Sequence, residues 1–178
     1  GWDLQTGLAL ARGETIAYID ADGQVPQEDV VTVYRKLCKE KLDLVLTYRT
    51  KRFDGQARLL ISRTYNFLLR LLFPSVKVRD ANATPKVLTR SALNRLALTA
   101  NGWFLDAEMI ILASTQGMRI GEVPTQFYRN EFRESFVDWK AVVEFLYQMM
   151  RQRLLPKSST PTASNSSINK KPKLTLRP

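Results

Sequence analysis

The sequence contains no histidine among its 178 residues, and this absence excludes several kinds of active site. Ser-His-Asp and Cys-His nucleophilic machinery both need an imidazole, and the usual zinc sites need several histidine or cysteine ligands, of which this sequence has one. Any acid–base chemistry must therefore depend on Asp, Glu, Lys or Tyr.

Cysteine is almost as scarce, because Cys38 is the only one in the sequence. A single cysteine excludes an intramolecular disulfide and favours a reducing compartment. No run of about 18 apolar residues is present, which argues against an encoded membrane span, and no secretory signal is visible. The first residue is not Met, so we expect the sequence to be a piece of a longer protein. We also expect that protein to be cytoplasmic and, if it binds a membrane, to act at the inner face.

Acidic residues are missing from the end of the chain, where residues 156–178 are rich in Ser, Thr, Pro, Asn and Lys. This composition predicts a disordered basic tail after a single domain at residues 1–155. The net charge is +10, and the 22 basic and 17 acidic residues before the tail leave +5 on that domain. A basic domain suits an anionic ligand or an anionic membrane surface. No recognised nucleic-acid-binding module is visible, so nucleic acid is not an expected partner.

Apolar periodicity predicts helices that alternate with strands, which is typical of an α/β domain with a mostly parallel sheet. Two polar segments, at 49–56 and 80–85, are predicted to be loops, and residues 87–98 are predicted to form short elements around a turn. The predicted helices cover residues 4–12, 27–41, 59–73, 103–116 and 137–155, and the predicted strands cover 16–20, 42–48, 76–78 and 118–123.

The most informative segment is an apolar run at 16–19 that ends in Asp20, Asp22, Gly23 and Gln24. Side chains alternate faces in an extended chain, so the two carboxylates and the amide are expected on one side. Such oxygen donors suit a hard cation, Mg²⁺ or Mn²⁺, that keeps positions for substrate phosphates. Open α/β sheets bind ligands at the carboxyl ends of their strands, where this segment lies.

Simpler interpretations of this segment remain open. Asp-x-Asp is a common pattern, and Asp-Gly pairs often only make turns. An EF-hand loop that starts at Asp20 would place its twelfth residue at Val31 instead of a Glu, so that interpretation fails.

Several segments stand in the order typical of one known family. Together they resemble the family 2 glycosyltransferases, and within that family the dolichyl- or polyprenyl-phosphate sugar synthase branch, over roughly residues 1–140. The matching segments are residues 7–13, 20–24, 48–52, 62–66, 80–86, 103–108 and 121–124, followed by Arg129 and Ser135. The resemblance implies the carboxyl-terminal two-thirds of a GT-A domain, a Rossmann-like fold that binds a nucleotide-diphosphate sugar.

On the donor side, the resemblance implies that Asp20 contacts the ribose or the metal and that Asp22 binds Mg²⁺ or Mn²⁺. Gln24 could complete the metal site. Arg129 and Ser135 resemble a late loop that closes over the pyrophosphate. Their spacing is one residue longer than in the family and the usual Gly is absent, so Arg133 could share this task.

On the acceptor side, the resemblance implies that Arg49 and Arg52 hold an acceptor phosphate, a role that suits the forked guanidinium. Asp80 and Lys86 belong to the acceptor-side loop that the family shares. This chain has Thr-Pro before Lys86 where the family often has Gly-Phe. The simpler alternatives are a solvated loop for the arginines and a turn-forming role for Asp80.

Asp106 is the candidate catalytic base, because many members of the family deprotonate an acceptor hydroxyl with an acidic residue in this segment. The alternative is that Asp106 only stabilises a helix amino terminus. A phosphomonoester acceptor has a second pKa of about 6 and needs no base, so Asp106 matters most for a hydroxyl acceptor. Glu108, two residues on, is expected to be structural.

These residues predict a metal-dependent glycosyltransferase that uses a nucleotide sugar and a polyprenyl-phosphate or saccharide acceptor. The alternatives are a nucleotidyltransferase of similar sheet architecture and a non-enzymatic adaptor for membranes or nucleic acid. Residues 141–155 form an amphipathic, basic helix that could contact an anionic bilayer or pack on its own domain. On the resemblance, residues 1–178 alone lack the base-binding part of the site and are expected to be inactive.

Overall fold

The computed structural model describes residues 1–52, 56–100, 102–128 and 139–154. Within them, four strands form one mixed sheet in the order β1-β3-β2-β4. The strands are β1 (Thr15–Tyr18), β2 (Leu44–Arg52), β3 (Lys86–Thr89) and β4 (Ile120–Phe127). The helices are α1 (Trp2–Leu10), α2 (Glu28–Lys39), α3 (Gln56–Leu72), α4 (Arg90–Arg95), α5 (Leu105–Thr115) and α6 (Trp139–Leu154).

Strand β3 runs against the other three strands. It pairs antiparallel with β1 and with β2, whereas β2 and β4 pair in parallel. The α/β class is therefore confirmed, and three of these four strands share one direction. The expectation of mostly parallel pairing needs a correction, since two of the three neighbouring pairs are antiparallel.

The reversal of β3 follows from the path of the chain after α3. Arg70 donates to the Val78 carbonyl, and Asn66 accepts from the Ala81 amide, so this segment runs back along α3. The chain consequently enters β3 from the edge at which β1, β2 and β4 end. The strand predicted at 76–78 is wrong: Val76 and Val78 are buried, but their backbone is irregular and lies against the helix instead of in the sheet.

Strand β2 is longer than predicted. Its ladder with β4 continues past a register shift to the pair Arg52 and Phe127, so residues 49–52 are strand and not loop. Strand β4 continues beyond its predicted end at residue 123 to Phe127, and the same ladder tolerates Pro124 at this edge strand of the described sheet. Residues 87–98, predicted as short elements around a turn, include most of β3 and all of α4.

The two faces of the sheet carry separate apolar clusters, as the period of two requires. On one face Leu44, Leu46 and Leu88 join the larger cluster, which includes buried residues of α5. On the other face Val45 and Val87 pack against α2 in a smaller cluster. Each fully buried aliphatic side chain contributes about 1.5–3 kcal/mol, so these faces hold the strands in register.

The described helices include none that is long and apolar enough to cross a bilayer. The predicted disordered tail at 156–178 lies outside the described residues.

Candidate active site

The loop after β1 forms one wall of the candidate site. Strand β1 ends at Tyr18, so Asp20 and Asp22 lie on the turn beyond the strand and not on the strand itself. Gly23 has a φ of 71°, a backbone conformation that glycine adopts at little cost. The Asp22 carboxylate accepts a hydrogen bond of 3.1 Å from the Gln24 amide and thereby stabilises the turn.

Gln24 connects this loop to the end of β4. Its Nε2 donates to the Tyr128 carbonyl at 2.9 Å, and its own carbonyl accepts from the Tyr128 amide at 2.8 Å. The residue is buried, so this double contact fixes the loop against the sheet. A contribution of Gln24 to metal binding stays a prediction.

Charged groups converge around Asp20. Its carboxylate accepts a hydrogen bond of 2.9 Å from the Thr84 hydroxyl, at the entry to β3. Loss of solvation around the carboxylate raises the pKa of Asp20, although the residue as a whole is exposed, and the charges of Asp106 and Asp22 raise it further. The Thr84 hydrogen bond and the Lys86 ammonium lower this pKa. The structure therefore brings the predicted residues Asp20, Asp22, Lys86 and Asp106 to one edge of the sheet.

Asp106 lies in the first turn of α5, where the helix dipole favours a carboxylate. Its Oδ1 accepts from the Lys86 ammonium at 2.5 Å and from the Tyr18 hydroxyl at 2.7 Å. Burial raises the pKa of Tyr18, and the Asp106 and Asp20 charges raise it further. The Lys86 side chain is fully buried, whereas the Asp106 side chain is 25% exposed. The acceptor role of Lys86 and the base role of Asp106 stay predictions.

Arg49 and Asp80 form a second ion pair at the same edge. The guanidinium donates from Nε to Oδ2 at 2.5 Å and from Nη2 to Oδ1 at 2.7 Å, which is a bidentate geometry. The guanidinium carbon also lies 5.1 Å from the ring centre of Phe127. Both charged side chains are largely buried, so the pair is a fixed part of this wall. Acceptor binding by Arg49 and Asp80 stays a prediction.

Four predicted residues lie wholly or partly outside the described part of the structure. The Arg52 backbone belongs to β2, but its side chain lies outside the described part of the structure. Arg129 and Ser135 lie outside the described residues altogether, and so does Arg133. Their roles stay predictions.

Glu108 has the structural role that its position predicts. It is buried, and its carboxylate accepts from the Thr99 amide and hydroxyl and from the Ala100 amide. These bonds fix the loop that precedes α5.

Tyr18 and Thr84 are site residues that the sequence analysis does not identify: Tyr18 donates to Asp106, and Thr84 donates to Asp20. Tyr18 stands two residues before Asp20, so strand alternation could have identified it as a neighbour of the site. The Thr84 contact joins residues 64 positions apart, and no local pattern signals it.

The donor set at this edge fits Mg²⁺ or Mn²⁺. Asp20 and Asp22 supply hard carboxylate oxygens, and no imidazole or thiolate competes for a softer metal. Among the described residues, no group of three or more His, Cys, Asp or Glu side chains could hold an ion. Two carboxylates leave most coordination positions to other oxygen donors, such as the phosphates of a substrate.

Comparison with known proteins identifies a family and two relatives whose names describe glycosyl transfer or sugar-phosphate synthesis. The family described as Glycosyl transferase family 2 matches residues 1–98. Glycosyltransferase AglD of Haloferax volcanii is 29% identical over 133 residues, which are 71% of this chain and 21% of that protein. Dodecaprenyl-phosphate galacturonate synthase of Rhizobium johnstonii is 30% identical over 96 residues, 53% of this chain and 28% of that protein. The chain thus spans less than a third of the length of either relative.

Solved structures of glucosyl-3-phosphoglycerate synthase from Mycobacterium tuberculosis share the fold. One superposes with a TM-score of 0.66 at 20% identity and covers 88% of this chain and 55% of the other. A complex of that enzyme with Mn²⁺, uridine diphosphate and phosphoglyceric acid superposes with a TM-score of 0.63 at 17% identity, over 88% of this chain and 54% of the other. At such identities the likeness establishes a common fold, and the predicted GT-A architecture is confirmed.

Proposed function

Because the chain belongs to glycosyl transferase family 2, we propose that its protein moves a sugar from a nucleotide-diphosphate sugar to a polyprenyl phosphate with the help of Mg²⁺ or Mn²⁺. The observation that carries this proposal is the convergence of Asp20, Asp22 and Asp106 at one edge of the sheet. Such crowding of carboxylates is costly for stability alone and suits a site that binds a cation and a polar substrate.

Asp22 and Asp20 would hold the divalent cation, which neutralises charge on the departing nucleoside diphosphate when it is bound. The other contributions come from the protein. Thr84 orients the Asp20 carboxylate through its hydrogen bond. Gln24 holds the loop that carries both aspartates against β4. Arg129 and Ser135 belong to the proposal as residues that close over the pyrophosphate.

Two acceptor classes compete within this proposal. A match to a dodecaprenyl-phosphate galacturonate synthase supports a polyprenyl phosphate, with Arg49, Arg52, Asp80 and Lys86 as the proposed acceptor-side residues. A saccharide acceptor is the second candidate, because a quarter of the Asp106 side chain is open to solvent and could take a hydroxyl proton.

A transfer assay on the complete gene product tests the proposal. We expect a labelled sugar to pass from a uridine-diphosphate sugar to polyprenyl phosphate when Mn²⁺ is present, and the rate to fall at least 100-fold with a chelator because the leaving diphosphate loses its charge neutralisation. Polyprenyl alcohol and a soluble saccharide serve as comparison acceptors. Release of a sugar 1-phosphate instead of a nucleoside diphosphate would mean that the nucleotidyl group is transferred, and so would identify a nucleotidyltransferase. Salt-sensitive binding without turnover would identify an adaptor.

Two helices next to the site carry an exposed apolar surface that suits a membrane-bound acceptor. On α3, Leu60, Phe67 and Leu71 are exposed on the side of the helix opposite the buried Leu69. On α6, Leu146, Met150 and Leu154 are exposed in the same manner, and the helices contact each other through Tyr65 and Phe145. The flanking basic residues are Arg63 and Arg70 on α3 and Arg151 and Arg153 on α6. We propose that this α3–α6 surface lies on an anionic bilayer.

Replacing Leu71 by Ser is expected to weaken binding of the protein to phosphatidylglycerol vesicles about tenfold, because one leucine inserted into the interface contributes about 1.5–3 kcal/mol. Co-sedimentation measures the effect. Leu10→Ser on α1 is the matched control, since Leu10 is 72% exposed and Leu71 is 63% exposed. An equal loss of vesicle binding in Leu71→Ser and Leu10→Ser would contradict the proposal that the α3–α6 surface lies on the bilayer. Binding of the unchanged protein to neutral vesicles as strong as its binding to phosphatidylglycerol vesicles would contradict it as well.

A further inference from the structure

Lys86 occupies a position where an apolar residue would be expected. It lies on the central strand β3, opposite Tyr18 on β1 and Leu46 on β2, and its side chain is completely buried. Its neighbour on the same face of the strand is the buried Leu88. A buried ammonium is costly even when it is paired, and well-packed apolar residues are often as stable or more so. Stability alone therefore does not explain a lysine here.

The contact that Lys86 makes is directed at one oxygen of Asp106. Lys86 and Tyr18 both donate to Oδ1, and the Lys86 ammonium also lies 5.5 Å from the ring centre of Tyr18. Oδ2 accepts no hydrogen bond from any residue that the structure describes. A quarter of the side chain is exposed, and no side-chain oxygen of the described residues is both buried and without a hydrogen bond, so this second oxygen is open to a ligand.

We propose that Lys86 is a positioning residue: together with Tyr18 it fixes Oδ1 of Asp106 and so presents Oδ2 to a hydroxyl group of the substrate. This inference rests on the proposed function and replaces direct acceptor binding as the role of Lys86. With no exposed surface, the ammonium cannot reach an acceptor in this conformation. The hydroxyl comes either from the acceptor or from the sugar being transferred, and the chemistry is the same for both.

A double-mutant cycle on the rate of transfer separates positioning from binding. Lys86→Met is expected to lower kcat about 100-fold, since a misplacement of about 1 Å in a catalytic geometry costs about that much, with little change in KM for the acceptor. Asp106→Asn is expected to lower kcat at least as much. The double variant should be no slower than Asp106→Asn alone, because Lys86 acts through Asp106. Additive losses, or a raised KM for the acceptor with kcat unchanged, would overturn the proposal.

Tyr18→Phe provides a second variant in case Lys86→Met does not fold. It removes the other donor to Oδ1 and leaves the buried charge pair intact, so we expect about a tenfold loss of kcat at constant KM. Lys36→Met is the matched control, since Lys36 pairs with Glu40 in an exposed ion pair on α2. Its kcat should equal that of the unchanged protein. A kcat for Tyr18→Phe equal to that of this control would overturn the positioning role.

Thermal unfolding distinguishes failure of this inference from failure of the proposed function. Asp106→Asn leaves the buried Lys86 ammonium without its carboxylate partner, so the midpoint temperature of unfolding should fall by about 10 °C. Adding Lys86→Met to Asp106→Asn should restore part of this loss. If that pattern appears but the unchanged protein transfers no sugar, the pair exists and the proposed function is wrong. If transfer occurs but Lys86→Met leaves kcat unchanged, the function stands and the positioning role is wrong.

The source of the hydroxyl is read from the acceptor used. With polyprenyl phosphate, which offers no hydroxyl, loss of rate in Asp106→Asn assigns the contact to the transferred sugar. Full rate with polyprenyl phosphate, together with a loss confined to a saccharide acceptor, assigns it to the acceptor. Full rate with both acceptors would overturn the proposal.

Discussion

Replacing Asp22 by Asn is expected to lower the rate of sugar transfer about 1,000-fold, because the variant loses the charge proposed to hold a cation worth several kcal/mol to the transition state. The substitution isolates the effect of the negative charge, because Asn keeps the shape of the side chain. Its amide oxygen can still accept from the Gln24 backbone, so the turn after β1 is expected to persist. Initial rates measured over a range of Mn²⁺ concentrations give the effect.

The control for this experiment is Asp3→Asn on α1, which removes the same charge from an exposed residue outside the proposed site. Its rate should match that of the unchanged protein. If Asp22→Asn kept more than a tenth of the rate, with the same dependence on Mn²⁺, Asp22 would not be a metal ligand. The proposed function would then lose its main support.

The second large effect is on stability and concerns the ion pair between Arg49 and Asp80. Arg49→Met is expected to lower the free energy of unfolding by about 3–5 kcal/mol, because it leaves the largely buried Asp80 carboxylate without its guanidinium. The contact with Phe127 is lost as well. Urea denaturation at neutral pH measures the change.

Two further variants sharpen this measurement. Adding Asp80→Asn to Arg49→Met should recover part of the lost stability, since the buried carboxylate charge that the guanidinium stabilised is then removed as well. The exposed pair is the comparison: Lys36→Met should cost only about 0–1 kcal/mol. Equal costs for Lys36→Met and Arg49→Met would show that the Arg49 pair is no more than a surface interaction.

Much of the fold was predictable because its signals are local. Helices α2 and α3 follow apolar periodicity, α5 follows a long apolar segment that ends before Gly117, and strand β1 follows the apolar run before Asp20. Two of the errors, the strand predicted at 76–78 and the direction of β3, have one physical origin. Val76 and Val78 are as apolar as strand residues, but their segment runs back along α3 and their side chains join the larger apolar cluster. Only the three-dimensional path of the chain determines that outcome. The reversed direction of β3 depends on the same path.

In the candidate site as well, the sequence identifies some residues but does not indicate how others pair. Asp20, Asp22 and Asp106 could be selected from residue type and resemblance, because their segments carry recognisable motifs. The pairing of Lys86 with Asp106 could not be predicted, because the two residues are 20 positions apart and lie on a strand and a helix. Nor does the sequence indicate that Arg49 lies on a strand, because the basic residues that follow it are typical of a loop.

The edge of the sheet opposite the site has a practical use. Strands β1, β2 and β4 begin there, and so does the turn that joins the end of α2 to Asp43, whose carboxylate binds Arg119. Cys38 lies in the last turn of α2, is exposed, and is the only thiol in the sequence. Within residues 1–178 a maleimide dye can therefore be attached at a single known place without any engineered cysteine. Its fluorescence could report on ligand binding from the far side of the domain, where the dye does not obstruct the carboxylates.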